Sequence, residues 1–222
     1  MKESHVFKHA WMLQCRLQES LARAVQRELG PARKLKVLDL GSLEPEYEAL
    51  FQDKAEKIVR LDIIKRPGLD VVGFGERLPF KDWSFDAVIC TQVLEHVKQP
   101  FECVGEIRRV LRKGGIVFLT THGNWMVHNE PEDNWRFTPD GFKRLFRDFE
   151  WMRIENHGGT LMALMLFFNL YFKSLLRPRF LPERLWLWLR APLYVLPNLL
   201  GALLDDPERN SFTANYLVTA RK

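Results

Sequence analysis

Three histidines and four carboxylates stand where buried apolar runs give way to polar turns: His96, His122 and His128, with Asp39, Asp62, Glu95 and Asp133. Asp62 closes an apolar run and lies 21 positions beyond Gly41. That is the spacing at which a doubly wound α/β fold sets a carboxylate against ribose hydroxyls. The turn after the first run reads Gly41-Ser42-Leu43-Glu44-Pro45, with one glycine where a pyrophosphate loop has three. Glu44, Glu46 and a proline that lacks an N–H would face the phosphates of a dinucleotide, so the turn suits a nucleoside cofactor that has no phosphates and carries positive groups. His96, His128 and Asp133 are the groups placed to take a proton. His122, His128 and Asp133 are not at helical spacing, and no metal set is expected from them.

The elements that must position these residues follow from hydrophobic patterning. Residues 36–40 and 58–62 read as buried strands, 70–72 as a short third and 85–91 as a fourth. Glu44-Pro45 opens a helix to about Asp53, with proline where a first turn tolerates it. A second helix starts near Pro100, and Gly114-Gly115 turns the chain into another buried strand ending near Thr120. Strand, crossover helix and strand make the unit of a parallel sheet, whose ligands sit beyond the carboxyl ends of the strands. Before all this, residues 6–29 form a helix with Val6, Ala10, Leu13, Leu17, Leu21 and Val25 on one face, stopped by Gly30-Pro31.

S-adenosylmethionine, with a ribose, an adenine, a sulfonium, an ammonium and no phosphate, is a cofactor of the required kind. The order of motifs is similar to that of the class I S-adenosylmethionine-dependent methyltransferases. The residues that carry the resemblance are residues 37–41 (Val-Leu-Asp-Leu-Gly), Leu78-Pro79-Phe80, Ser84-Phe85-Asp86, Leu94-Glu95-His96-Val97, Pro100, residues 106–111 and Gly114-Gly115. The resemblance implies an α/β fold, a doubly wound, Rossmann-like, seven-stranded and mostly parallel sheet whose last strand, residues 211–220, is inserted antiparallel. It also implies S-adenosylmethionine as cofactor. Asp39, Gly41 and Ser42 would line its methionine end, Asp62 its ribose and Ile63 its adenine. Gly75 and Phe74 would cover the base, Phe74 packing where the family usually has an acid, and Thr91 would face the amino-acid part through its backbone. The run from His128 to Thr138 is similar to one in methyltransferases of surface-glycan clusters; its polar and aromatic groups suit a polyhydroxylated acceptor, and the alternative is a purely structural folded lid stapled by Asp133–Arg136 and aromatic packing.

The sequence divides into an N-terminal helix (1–33), the core (34–158), an apolar helical insertion (159–205) and the last strand of the core (206–222). In the insertion, residues 161–172 and 193–204 are uncharged, and neither run reaches the ~18 residues of a membrane span. Lys173, Arg177, Arg179, Arg184 and Arg190 lie between them, with Trp186, Trp188 and Tyr194. Pro178, Pro182, Pro192 and Pro197 are expected to break the insertion into short helices. Apolar faces rimmed by arginine suit the surface of an anionic membrane. A net charge of +5 agrees with an anionic partner, yet no basic stripe with interleaved aromatics points to nucleic acid. Cys15, Cys90 and Cys103 are too scattered for a disulfide framework, and the N-terminus has no apolar signal region. The reading is therefore a cytoplasmic methyltransferase, peripheral on the inner membrane face, acting on a small or lipid-linked acceptor such as a sugar hydroxyl. Its alternative is a non-catalytic membrane-associated module.

Overall fold

The computed structural model describes residues 11–31, 34–41, 47–128, 132–175, 183–206 and 212–222. They fall into two compact units, one of residues 20–155 with 216–222 and one of residues 1–19 with 156–215. The division falls inside the first helix, α1 (Trp11–Leu29).

The larger unit is built on a seven-stranded sheet. Its strands are β1 (Leu35–Leu40), β2 (Ala55–Asp62), β3 (Val71–Val72), β4 (Phe85–Thr91), β5 (Leu111–His122), β6 (Trp151–Asn156) and β7 (Asn215–Arg221), in the order β3-β2-β1-β4-β5-β7-β6. β1 pairs in parallel with β2 and β4, β2 with β3, and β4 with β5. β7 runs the other way: the N–H of Gly114, early in β5, donates to the carbonyl of Lys222, just past the end of β7. Side chains alternate across a strand, and here both faces are buried. Leu38, Leu40, Val88, Cys90, Val117 and Leu119 point to one core, and Val37, Ala87, Ile89, Ile116 and Phe118 to the other. That is why these strands read as continuous apolar runs.

Helices cover both faces. Leu21, Ala24 and Val25 of α1 pack with Phe51 on the second core. α2 (Pro100–Val110) gives Cys103, Val104, Ile107 and Val110 to the first, and α3 (Pro139–Leu145) gives Phe142 and Leu145. Both begin with proline at a position that needs no N–H, and Thr138 Oγ1 accepts from Gly141 N (3.2 Å) to cap α3. Of the helix expected over residues 44–53, the described residues 47–53 form no α-helix. A 3-10 helix spans Glu48–Phe51, and residues 42–46 lie outside the described set. Lys54 N–H donates to Phe51 O (2.9 Å), turning the chain directly into β2.

In the smaller unit, α4 (Thr160–Leu175) and α5 (Glu183–Leu204) pack together. α5 is one helix with Pro192 and Pro197 inside it, contrary to the expected breaks. Tertiary packing offsets the lost backbone bonds: Pro197 and Tyr194 are buried, and buried Asn198 Oδ1 accepts from Asn169 Nδ2 (2.9 Å). The Asp205 carboxylate caps α4 through Gly159 N (2.6 Å) and Met162 N (2.9 Å). Leu164, Phe168 and Tyr171 of α4 and Leu193, Leu196, Leu203 and Leu204 of α5 are exposed. Arg177 and Arg179, and the side chains of Lys173, Arg184, Trp186, Trp188 and Arg190, lie outside the described set. Among the described residues no helix is long and apolar enough to cross a membrane.

Candidate functional site

A cavity of about 490 Å³ opens beyond the carboxyl ends of β1, β2 and β4, where ligands of open α/β sheets bind. At one end, Gly41 turns out of β1 with φ +79°, a conformation that favours glycine, and its N–H donates to Leu61 O (2.8 Å). Asp62, the last residue of β2, is buried; its Oδ1 accepts from Ile64 N (2.8 Å), and no described residue donates to Oδ2. Around it Ile63, Ile64 and Phe74 line the cavity while 43%, 46% and 64% exposed. Gly75 completes this wall because a Cβ there would lie 2.9 Å from Cys103 Sγ. Gln92, just past β4, holds a left-handed φ of 54°, braced by bonds to Thr120 O (2.8 Å) and Thr120 Oγ1 (3.0 Å).

The other end is made by two loops, one after β4 and one after β5. Glu95 ties them together. It is wholly buried, and its Oε2 accepts from Thr121 Oγ1 (2.7 Å). Its carbonyl accepts from the N–H groups of Asn134 (2.8 Å) and Trp135 (3.1 Å). Asn134 Nδ2 and Trp135 Nε1 answer with bonds to the carbonyls of His96 (2.9 Å) and Val97 (2.8 Å). His96 Nδ1 meets the carbonyl of Glu132. Asp133 takes both arms of Arg136 (2.5 and 2.7 Å) and the N–H of His128 (2.9 Å), and its Oδ2 lies 3.3 Å from His128 Nδ1. His122 stacks on Trp125 (4.6 Å between ring centroids) and sets its Nε2 3.5 Å from Glu95 Oε1.

The electrostatics follow from this packing. Hydrogen bonds from Arg136 hold Asp133 well below the usual carboxylate range. Burial pushes Glu95 up, and burial, with His128 and the Arg136 guanidinium nearby, pushes His122 down to about 3. His122 is therefore neutral at pH 7; it does not line the cavity, whereas His96 and His128 do.

Of the residues singled out from the sequence, Gly41, Asp62, Ile63, Phe74, Gly75, His96 and His128 line this one cavity. Asp39 and Thr91 do not: Asp39 is buried in β1 between Arg60 of β2 and Ile89 of β4, and Gln92 and Val93 supply the lining after β4. Asp133 stands behind His128 rather than on the wall, and Ser42 lies outside the described residues. Sequence reasoning missed Gln92, Lys98 and Glu132, which also line the cavity. The mark of Gln92, a left-handed backbone, has no residue-type signal outside glycine and asparagine.

Residues 38–119 match the methyltransferase domain family. A malonyl-acyl-carrier-protein O-methyltransferase of Methylococcus capsulatus is 33% identical over 50% of this chain and 45% of its own length. A human thiol S-methyltransferase is 39% identical over 32% of each. The chain thus spans less than half the length of either curated relative. Among solved structures, a Burkholderia thailandensis 1,6-didemethyltoxoflavin-N1-methyltransferase with bound S-adenosylhomocysteine superposes with a TM-score of 0.55 at 14% identity, over 93% of this chain and 78% of that one. That likeness shows the fold, and the sheet order with its reversed seventh strand agrees with it. Residues 38–119 thus carry a methyltransferase domain match, set in a sheet of the Rossmann-like methyltransferase fold.

Proposed function

We propose that this chain transfers a methyl group from S-adenosylmethionine to a hydroxyl of a small or lipid-linked acceptor, a sugar in surface-glycan synthesis. The observation that carries the reading is Asp62, a buried carboxylate with Oδ2 left open by the described residues, in the same cavity as exposed Ile63, Ile64 and Phe74. The donor set fits the cofactor: a carboxylate for two ribose hydroxyls beside apolar side chains for a flat base. The cavity's volume lies within the range of small-molecule sites.

When bound, S-adenosylmethionine supplies an electrophilic methyl on a sulfonium that is already a good leaving group. What remains for the protein is alignment and exclusion of water. Asp62, fixed by the Ile64 N–H, would receive the ribose, and Phe74 with Ile63 would cover the adenine. At the far end His96 and His128 present imidazoles to the acceptor, to polarise its hydroxyl or take its proton. Asp133 holds His128 through the backbone N–H, with its Oδ2 3.3 Å from the ring Nδ1. Polar Lys98 and Glu132 on the same wall favour a hydroxylated acceptor, and the O-methyltransferase relative supports oxygen as the atom methylated. The exposed leucines and aromatics of α4 and α5 support attachment of the smaller unit to an anionic membrane surface.

The test is a calorimetric titration with S-adenosylhomocysteine. Micromolar binding is expected, weakened about tenfold or more in Asp62→Ala by the loss of charge-assisted hydrogen bonds. An absence of heat with folded protein overturns the reading. The second reading, a non-catalytic module, rests on the exposed apolar helices alone, and predicts sedimentation with anionic vesicles without cofactor binding.

A further inference from the structure

The geometry points to a binding site for a divalent transition cation of the zinc class, held by Glu95, His96 and His128 at the acceptor end of the cavity. One ligating atom from each of these residues lies within 4.8 Å of those of the other two. The His96 and His128 rings are 5.0 Å apart, edge to face. Sequence spacing favoured no metal set, and the trio considered there was a different one. Folding substitutes Glu95 and His96, from the loop after β4, for His122 and Asp133.

A second observation points to a ligand at the same place. Glu95 is wholly buried, its Oε2 is taken by Thr121, and no described residue hydrogen-bonds its Oε1, which His122 Nε2 approaches only to 3.5 Å. A buried carboxylate oxygen without a donor calls for an explanation, and an ion is one. The groups behind the imidazoles fit as well. His96 Nδ1 faces the carbonyl of Glu132, and His128 Nδ1 lies 3.3 Å from the Asp133 carboxylate. A carbonyl at one ring nitrogen is the usual support of a metal-binding histidine and leaves the Nε2 of His96 for the metal, while Asp133 holds the loop at His128 through its backbone N–H. Arg136 fixes Asp133 in turn.

Two imidazoles and one carboxylate select zinc or iron over magnesium or calcium, which take oxygen ligands. In a filled tetrahedral site, with bonds of ~2.0–2.1 Å, ligand atoms stand about 3.4 Å apart. The trio therefore closes by about 1.4 Å at most on binding, a movement within reach of ring rotation. His122, with Nε2 3.5 Å from Glu95 Oε1, is a further nitrogen beside the site.

Three protein ligands leave a coordination position open, and His96 and His128 line the cavity. Resting on the methyl-transfer reading above, that position takes the acceptor hydroxyl. Its O–H bond breaks, the proton goes to water, and the electron pair stays on the oxygen under the cation's charge. The two imidazoles then polarise the acceptor through the cation.

Full-length protein, stripped with a chelator and titrated with Co²⁺, is expected to take up one equivalent with visible absorption, displaced by Zn²⁺ and not by Mg²⁺. His96→Ala, His128→Ala and Glu95→Gln should each weaken uptake more than about tenfold, and Asp133→Asn about 10–100-fold through His128. Circular dichroism checks that each variant is folded; half-exposed His96 is the safest for the fold. No uptake by folded wild-type protein, or uptake unchanged in both histidine variants, overturns the site. S-adenosylhomocysteine titrated on the same samples separates the two readings. Its binding without cobalt uptake removes the cation and leaves methyl transfer, and the reverse removes methyl transfer and leaves the cation.

Discussion

The two ends of the cavity are built on opposite plans. The Asp62 end hangs on strand termini: a single carboxylate, a glycine turn and three apolar side chains more than 40% exposed. The His128 end comes from two loops that share no strand pairing, cross-braced by Glu95, Asn134, Trp135 and the Asp133–Arg136 pair. The sheet gives the first end its rigidity, so its side chains are left free for a ligand. The second end spends most of its polar groups holding itself in place. Substitutions should therefore damage ligand binding at the first end and folding of the lid at the second.

The largest effect is expected at the second end. Asp133→Ala leaves Arg136 with only backbone carbonyls as acceptors and His128 N–H without its carboxylate. Asp133 is almost fully buried but Arg136 is 28% exposed, so water absorbs part of the loss. A cost of about 2 kcal/mol in chemical denaturation is expected. S-adenosylhomocysteine affinity should stay within about twofold, because no strand end is touched. A parallel loss of affinity would show that the two ends are one unit, and the contrast drawn here would fail.

The converse experiment is Phe74→Ala. Phe74 is 64% exposed, so stability should change by less than about 0.5 kcal/mol. Loss of the aromatic wall should lower S-adenosylhomocysteine affinity by about 1 kcal/mol, roughly fivefold. An affinity equal to wild type would take Phe74 off the cofactor wall.

What the sequence revealed divides along the same line. β1, β2, β4 and β5 were legible because a strand buried on both faces leaves a continuous apolar run, and α2 because Pro100 marks its first turn. The place of Asp62 at the end of β2 was legible because it closes an apolar run. The Asp133–Arg136 staple was legible as a local pair. The partners of Glu95 were not: Thr121, Asn134 and Trp135 lie 26 or more positions away, and loop-to-loop bonds of that reach leave no periodicity. The continuity of α5 through Pro192 and Pro197 was hidden for a related reason, since packing, not propensity, holds it.

The smallest effect tests how far the Asp62 end depends on the sheet alone. After Gly75 the chain returns to β4 through residues 76–84, and α2 holds that strap. Glu106 accepts from Leu78 N (2.7 Å) and from Arg109 Nε (2.6 Å) and Nη2 (2.8 Å), while Arg109 reaches the carbonyls of Leu78 (3.0 Å) and Phe80 (2.8 Å). Hydrogen bonds from Arg109, with that of Leu78, set Glu106 below the usual carboxylate range. A depressed acid stabilises the fold above its unfolded pKa, about 4.3, and that contribution is lost as pH falls through the lower folded value. Glu106→Gln should then cost about 0.5–1 kcal/mol at pH 7, the side chain being partly solvated. The gap between the two proteins' melting temperatures should close as pH drops below about 4. A gap that persists in acid would mean that the glutamate's shape, not its charge, holds the strap. The strap behind the Asp62 end would then be held without the charge of Glu106.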